Sequence, residues 1–192
     1  MIRVLIVDDH AAVRAGLHTV LRLEPGLVPV GAATGEAELL PLLEQTHPNV
    51  VLLDHNLPGR DGVQLCRRIK ARPDRPAVLM YTAYDSTELA LPATLAGADG
   101  VIEKRASADE LFDAIRLVAR GRRSLPPISR DVLARASRRI EERDVPLLEL
   151  LIGGAPPAEI AEALAIAVED LEPRVEGLLM ALRIDTGSSP CA

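Results

Sequence analysis

Hydrophobic residues fall into two patterns along the chain. Up to about residue 120, short aliphatic runs alternate with segments of helical spacing, and the alternation repeats five times. The runs predict strands at about 2–7, 28–33, 49–53, 76–81 and 100–102. Between them, Val13, Leu17, Val20 and Leu21, then Leu65 and Ile69, then Leu111, Ile115, Val118 and Ala119 recur at the three-to-four-residue interval of an amphipathic helix. Continuous apolar strands joined by helices imply a parallel sheet covered on both faces. Pro25-Gly26, Pro58-Gly59, Gly97 and Gly100 mark the joints.

The pattern then changes. Residues 116–139 hold eight arginines against one acid, Asp131, with Pro126-Pro127 inside, and read as a linker followed by a helix from about Ser129. Residues 140–186 reverse the charge, with eleven acids against three arginines, and their spacing is wholly helical. The expected organisation is an α/β domain over 1–120, an Arg-rich linker over 121–139, a small all-α domain over 140–186 and a frayed tail over 187–192.

Composition narrows the class. Hydrophobic residues make up 48% of the chain but aromatics only 2%, with no Trp, so the cores must be built from Leu, Val, Ile and Ala. No apolar run approaches the roughly 20 residues needed to span a bilayer, and Met-Ile-Arg-Val leads directly into a strand rather than a signal peptide. A cytoplasmic protein with no membrane partner is expected. Cys66 and Cys191 are too few for a disulfide framework or a zinc site, and Cys66 lies on an apolar helical face as a buried thiol.

Candidate chemistry collects at the strand ends. Val50-Val51-Leu52-Leu53 ends in Asp54, and Val4-Leu5-Ile6-Val7 ends in Asp8 and Asp9. In open α/β sheets, ligands gather outside the carboxyl ends of the strands, so three carboxylates should meet in one crevice. Like charges so close cannot all ionise cheaply without a cation. Mg²⁺ takes oxygen ligands and keeps several waters, so two carboxylates and a backbone carbonyl suffice to hold it. The fourth strand adds Thr82 and the fifth adds Lys104 at the same edge. Carboxylate nucleophile, metal, hydroxyl and ammonium are the parts needed to accept a phosphoryl group on Asp54.

With these residues in place, positions 1–120 resemble the receiver domain of a two-component response regulator, a flavodoxin-like doubly wound fold. The resemblance is carried by Val7-Asp8-Asp9-His10, by Asp54-His55-Asn56-Leu57-Pro58-Gly59-Arg60-Asp61-Gly62, by Thr82-Ala83 and by Gly97-Ala98-Asp99-Gly100 leading to Lys104. It implies that a histidine kinase phosphorylates Asp54. It also implies that Asp9 ligates Mg²⁺ directly, Asp8 through water and Asn56 through its backbone carbonyl, that the Thr82 hydroxyl follows the phosphoryl group, and that Lys104 forms a salt bridge. Slow self-dephosphorylation is the only turnover implied. A haloacid-dehalogenase-like phosphatase also uses a nucleophilic Asp with Mg²⁺, but wants a second Asp where this chain has Asn56. His10 reads as a loop histidine at the first helix, and His18, His47 and His55 as structural or exposed.

Two departures stand out. Many receivers carry an aromatic ring three residues before the lysine, and here that residue is Val101. Pro92 interrupts the helical segment Ser86–Ala96, for which Ser86 is the expected cap, at a cost of roughly 3 kcal/mol. That helix is expected to be kinked, short or mobile.

Residues 140–184 resemble the four-helix output domain of the NarL/FixJ regulators, which carry a LuxR-type helix-turn-helix. Arg143-Asp144, Leu147-Leu148, Leu150-Leu151, Gly154, Glu159-Ile160-Ala161, Leu164, Ile166, Leu171, Val175, Leu178 and Leu182 carry the match. A recognition helix must approach a polyanion. The corresponding segment here, Glu169–Gly177, has four acids and one arginine, Arg174, the candidate DNA contact. The balance weighs against specific DNA binding through this helix. The leading expectation is a phosphorylation-controlled transcriptional regulator, with homodimerisation open. The alternative is a protein-interaction or dimerisation module that no longer binds DNA. The linker arginines are expected to lie in solvent, to contact nucleic acid or to pair with the acidic C-terminal segment.

Overall fold

The computed structural model describes residues 1–57 and 60–182. Pro58-Gly59, the predicted tail and Cys191 lie outside the described residues.

Five parallel strands form the central sheet: β1 (Ile2–Val7), β2 (Leu27–Ala33), β3 (Val50–Asp54), β6 (Ala77–Thr82) and β7 (Gly100–Glu103), in the order β2-β1-β3-β6-β7. A two-stranded hairpin, β4 (Asn56–Leu57) with β5 (Arg60–Asp61), follows β3. The receiver portion is thus doubly wound, and successive residues of its apolar strands feed opposite faces. Val4, Ile6, Val50 and Leu52 pack with Leu17 and Leu21 of α1 (Ala11–Leu23) and with Leu111, Ile115 and Val118 of α5 (Ala108–Ala119). Leu5, Val7, Val51 and Leu53 pack instead with α2 (Glu36–Thr46), α3 (Gly62–Lys70) and α4 (Ser86–Leu95). Local capping fixes the helix starts. Ser107 and Glu110 form a reciprocal capping box on α5, and the Asp61 side chain accepts the Val63 N–H at the start of α3.

α4 differs from the sequence expectation in two ways. Its cap is Asp85, whose side chain accepts the Thr87 N–H, rather than Ser86. The helix, expected to be kinked, short or mobile, is not cut short by Pro92 and runs through it to Leu95. Packing offsets the proline, because Leu89, Ala90, Leu91, Pro92, Ala93 and Leu95 are all buried. A helix that is apolar all round needs cover on every side. β7 and α3 cover α4 from the sheet side. The C-terminal helices α6 (Arg130–Ser137), α7 (Val145–Ile152) and α9 (Val168–Ala181) cover it from the other.

Those helices share one continuous core with the receiver face, through Val132, Leu147, Leu148, Ile160, Leu171, Val175 and Leu178. A 3-10 turn (Glu142–Asp144) precedes α7, and α8 (Pro157–Ala163) lies between α7 and α9. Pro173 lies inside α9 without ending it. The linker is tied to the sheet before α6 begins. Ser124 bridges to Gly100 in parallel register, accepting the Val101 N–H at 3.0 Å and donating to the Asp99 carbonyl at 2.8 Å.

Candidate functional site

Strand register brings the site together. β1 lies beside β3 with Val7 opposite Leu53, so Asp8 falls level with Asp54. Asp54 in turn pairs with Tyr81, which places Thr82 one step beyond, and Thr82 pairs with Glu103 just before Lys104. The strand order reverses direction between β1 and β3, and the carboxylates sit at that switch point.

Lys104 is the electrostatic centre. Its Nζ donates to Asp8 Oδ2 at 2.7 Å and lies 3.0 Å from Asp54 Oδ2. Both carboxylates are almost fully buried, Asp8 at 1% and Asp54 at 2% exposure. Burial raises the Asp54 carboxyl above its ordinary range, and the Lys104 hydrogen bond and charge pull it back. Burial also works against the Lys104 ammonium, but its bonds to Asp8 and Asp54 outweigh this and hold its pKa above the usual lysine range. The Asn56 N–H donates to Asp54 Oδ1 at 3.3 Å.

Asp9 stands at the mouth, with His10 Nδ1 2.7 Å from its Oδ1 and 3.3 Å from Asp8 Oδ1. The sequence reading gave His10 no part here, yet ligand atoms of Asp8, Asp9, His10 and Asp54 all lie within 4.8 Å of one another. Asp9 Oδ1 and Asp54 Oδ2 are buried, and each has one cationic neighbour, His10 Nδ1 and the Lys104 ammonium, so neither oxygen's acceptor capacity is filled. Buried carboxylate oxygens with unused acceptor capacity fit a cation, so the donor set can hold a metal ion.

Three features support the site from outside. The Gly62 N–H donates to the His55 carbonyl at 2.8 Å, and a Cβ at Gly62 would stand 2.2 Å from the Asp54 carbonyl oxygen. Only glycine allows that approach. Thr82 is fully buried, and its Oγ1 accepts the Tyr84 N–H at 3.0 Å. Lys104 also lies over the Tyr81 ring, 5.7 Å from its centroid.

His55 was missed as a site neighbour. It is 2% exposed, burial holds its imidazole below the usual histidine range, and neither ring nitrogen has a hydrogen-bond partner. The available signal was its place directly after the nucleophile, between β3 and β4. Cys66 is buried as expected, and burial pushes its thiol up to about 12.

Arg174 lies apart from this cluster. Its guanidinium donates to Asp144 Oδ1 at 2.5 Å and to the Arg143 carbonyl at 3.0 Å, holding α9 to the 3-10 turn. Glu169, Asp170, Glu172 and Glu176 are exposed on α9. Glu172 reaches the receiver face, where it accepts Arg67 Nε at 2.9 Å and a second bond from the same guanidinium. The linker's Arg135 pairs with Glu88 of α4 at 2.6 Å. The acidic helix is therefore met by α3 at Glu172, a contact the sequence did not suggest.

A doubly wound sheet with acidic strand ends, a lysine just past the last strand and a helical C-terminal part defines a receiver-type signalling protein. The description "Response regulator receiver domain" matches residues 4–116, and the chain belongs to the response-regulator family. It is 33% identical to the DNA-binding transcriptional activator DevR/DosR of Mycobacterium tuberculosis, over 96% of this chain and 90% of that protein. A LuxR-family two-component response regulator from Aurantimonas matches at 33% identity with a TM-score of 0.60, covering 72% of this chain and 98% of that one. Salmonella enterica RcsB, bound to the rprA promoter in the presence of the phosphomimetic BeF3-, shares the fold at 21% identity. Its TM-score is 0.61, with 97% of this chain and 94% of RcsB covered. No helix among the described residues is long and apolar enough to cross a membrane.

Proposed function

We propose that a histidine kinase phosphorylates this protein on Asp54 and that the modification controls transcription through the C-terminal helices. Residues 1–120 act as receiver, 121–139 as linker and 140–186 as output. The observation that carries the reading is the pair of contacts from Lys104 to Asp8 and Asp54 at the strand switch point. An Asp54 carboxylate oxygen attacks the phosphorus of a phosphohistidine, a P–O bond forms, the P–N bond breaks, and the imidazole leaves with its electron pair. In this reading Lys104 and the Thr82 hydroxyl meet the charge on the transferred oxygens. Asp8, Asp9, Asp54 and the Asn56 carbonyl would hold Mg²⁺, which when bound neutralises the crowded carboxylates and the phosphoryl oxygens.

The DNA-facing half of the proposal is weaker on electrostatic grounds. Four acids lie exposed on α9, and Arg174 is already engaged by Asp144. This favours a second reading, in which the C-terminal helices meet a protein partner rather than DNA. The likeness to the DNA-binding transcriptional activator DevR/DosR supplies the case for DNA.

Two measurements separate the readings. Phosphate-affinity electrophoresis after incubation with a phosphodonor should show a shifted band in the wild type and none in Asp54→Asn; a shifted band in the variant removes Asp54 as the acceptor. DNA binding across a salt series, with and without beryllofluoride, then tests the output. A salt-sensitive complex lost in Arg174→Ala supports transcriptional control through α9, and no binding at low salt supports the protein-partner reading.

A further inference from the structure

His10 stands at the mouth of the carboxylate cluster with its backbone fixed on both sides. Its N–H donates to Asp8 Oδ1 at 2.8 Å, and its carbonyl accepts the Arg14 N–H at 3.1 Å as α1 begins. The Arg14 side chain adds a bond to the Asp8 carbonyl at 2.7 Å. With the backbone held there, the imidazole Nδ1 lies 2.7 Å from Asp9 Oδ1 and 3.3 Å from Asp8 Oδ1. The Asp8 carboxylate is divided as a result, Oδ2 meeting the Lys104 ammonium and Oδ1 meeting His10.

These spacings suit a coordination shell. In an octahedron with ligands at about 2.1 Å, neighbouring donor atoms stand about 3.0 Å apart and opposite ones about 4.2 Å. Nδ1 comes close to the first spacing with two carboxylate oxygens, and donor atoms of Asp8, Asp9, His10 and Asp54 all fall within 4.8 Å. Depth differs among them. Asp8 and Asp54 form a buried floor, whereas the His10 side chain is 64% exposed. It occupies the open side, where a cation held by carboxylates alone would keep water.

We propose that His10 Nδ1 is a direct ligand of the cation held by Asp8, Asp9 and Asp54, and that it biases the site toward nitrogen-binding divalent ions such as Mn²⁺, Co²⁺ and Ni²⁺. The inference rests on the cation site of the proposed function and deepens it, adding a further side chain and the class of ion it selects. A neutral imidazole offers a nitrogen lone pair, which transition-metal ions bind more strongly than Mg²⁺ does. Mg²⁺ gives up water reluctantly and gains little by exchanging one for nitrogen. With Nδ1 on the metal, the ring's N–H lies on Nε2. The phosphoryl-transfer step is unaltered.

The test uses the full-length protein with Mn²⁺, Ni²⁺ and Mg²⁺ as probes and reads binding alone, without phosphorylation. Electron spin-echo modulation of bound Mn²⁺ should carry a nitrogen coupling in the wild type, and nitrogen-15 labelling of histidine should change it. His10→Ala should still bind Mn²⁺ and lose that coupling. The side chain is exposed and precedes α1, so its truncation leaves both apolar cores intact. In titration calorimetry the same variant should bind Ni²⁺ at least about tenfold more weakly, with Mg²⁺ affinity changed by less than about twofold. Asp9→Asn should weaken all three ions, which ties the signals to this site. Bound Mn²⁺ without nitrogen coupling, a coupling that survives in His10→Ala, or equal losses for Ni²⁺ and Mg²⁺ would put His10 outside the shell, an imidazole paired with Asp9 only, and leave the cation site of the proposed function standing. No binding of any of the three ions by the wild type overturns both.

Discussion

Glu172 of α9 receives the guanidinium of Arg67 of α3 in a two-bond contact, with Arg67 19% and Glu172 62% exposed. An acidic residue of α9 is thereby joined to α3, alongside the apolar packing on α4. Arg67 also donates to the Leu95 carbonyl at 3.3 Å, so the same side chain ties α3, α4 and α9 together.

Because Glu172 is largely in water, the pair adds direction more than strength. A double-mutant cycle with Arg67→Ala and Glu172→Ala should return a coupling of about 0.2–1 kcal/mol in urea unfolding, diminished by salt. Glu172→Arg should repel Arg67 and expand the protein in small-angle scattering. A scattering profile identical to the wild type would show that apolar packing alone holds the helices in place.

Asp54 should make stability depend on pH. Burial sets its folded pKa above the ordinary 3.8. A raised acid is favoured in its neutral form by folding, so its contribution is present below about pH 4 and is lost as the pH rises through the folded value. In chelator, wild-type stability should therefore decline relative to Asp54→Asn across that window and run parallel to it above. Urea midpoints measured from pH 3 to pH 8 check the sign; a wild-type stability that rises relative to Asp54→Asn with rising pH would contradict it.

Removing Lys104 leaves two buried carboxylates facing each other. Lys104→Met should cost about 1–3 kcal/mol, less than for a fully buried pair because the lysine is partly exposed. Adding Asp54→Asn to that variant should recover part of the loss, since only one carboxylate then lacks a partner. Chemical unfolding of the three proteins at pH 7 reads both effects.

Gly62→Ala should disturb the site from behind. The added Cβ would stand 2.2 Å from the Asp54 carbonyl oxygen and 2.7 Å from that of His55, and neither is a side chain that can swing aside. A loss of about 1–3 kcal/mol in unfolding free energy is expected, the range for overpacked positions. Amide shifts of Asp54 and His55 should move with it.

Local signals in the sequence carried the sheet and the site. Val4–Val7 and Val50–Leu53 read as buried strands because nothing polar interrupts them, and the strand ends brought Asp8, Asp54, Thr82 and Lys104 to one edge. Non-local relationships were harder to read. Glu172 looks like one more charge on a solvated face until Arg67 is placed opposite, 105 positions away in sequence. Pro92 looks like a helix breaker until the cover on both sides of α4 is known, since burial of Leu89, Leu91 and Leu95 outweighs one absent hydrogen bond. His55 gives no periodic signal, because it lies in the short connection after β3 rather than on a helix face or strand.

The linker's attachment at Ser124 limits how the molecule can rearrange. With its carbonyl on the Val101 N–H and its own N–H on Asp99, Ser124 extends the sheet edge and belongs mechanically to the receiver. Any swing of the C-terminal helices away from α4 must pivot between Leu125 and the cap of α6 at Ser129. Pro126 and Pro127 stiffen that short hinge, so the helices can depart along few paths and return to the same seat.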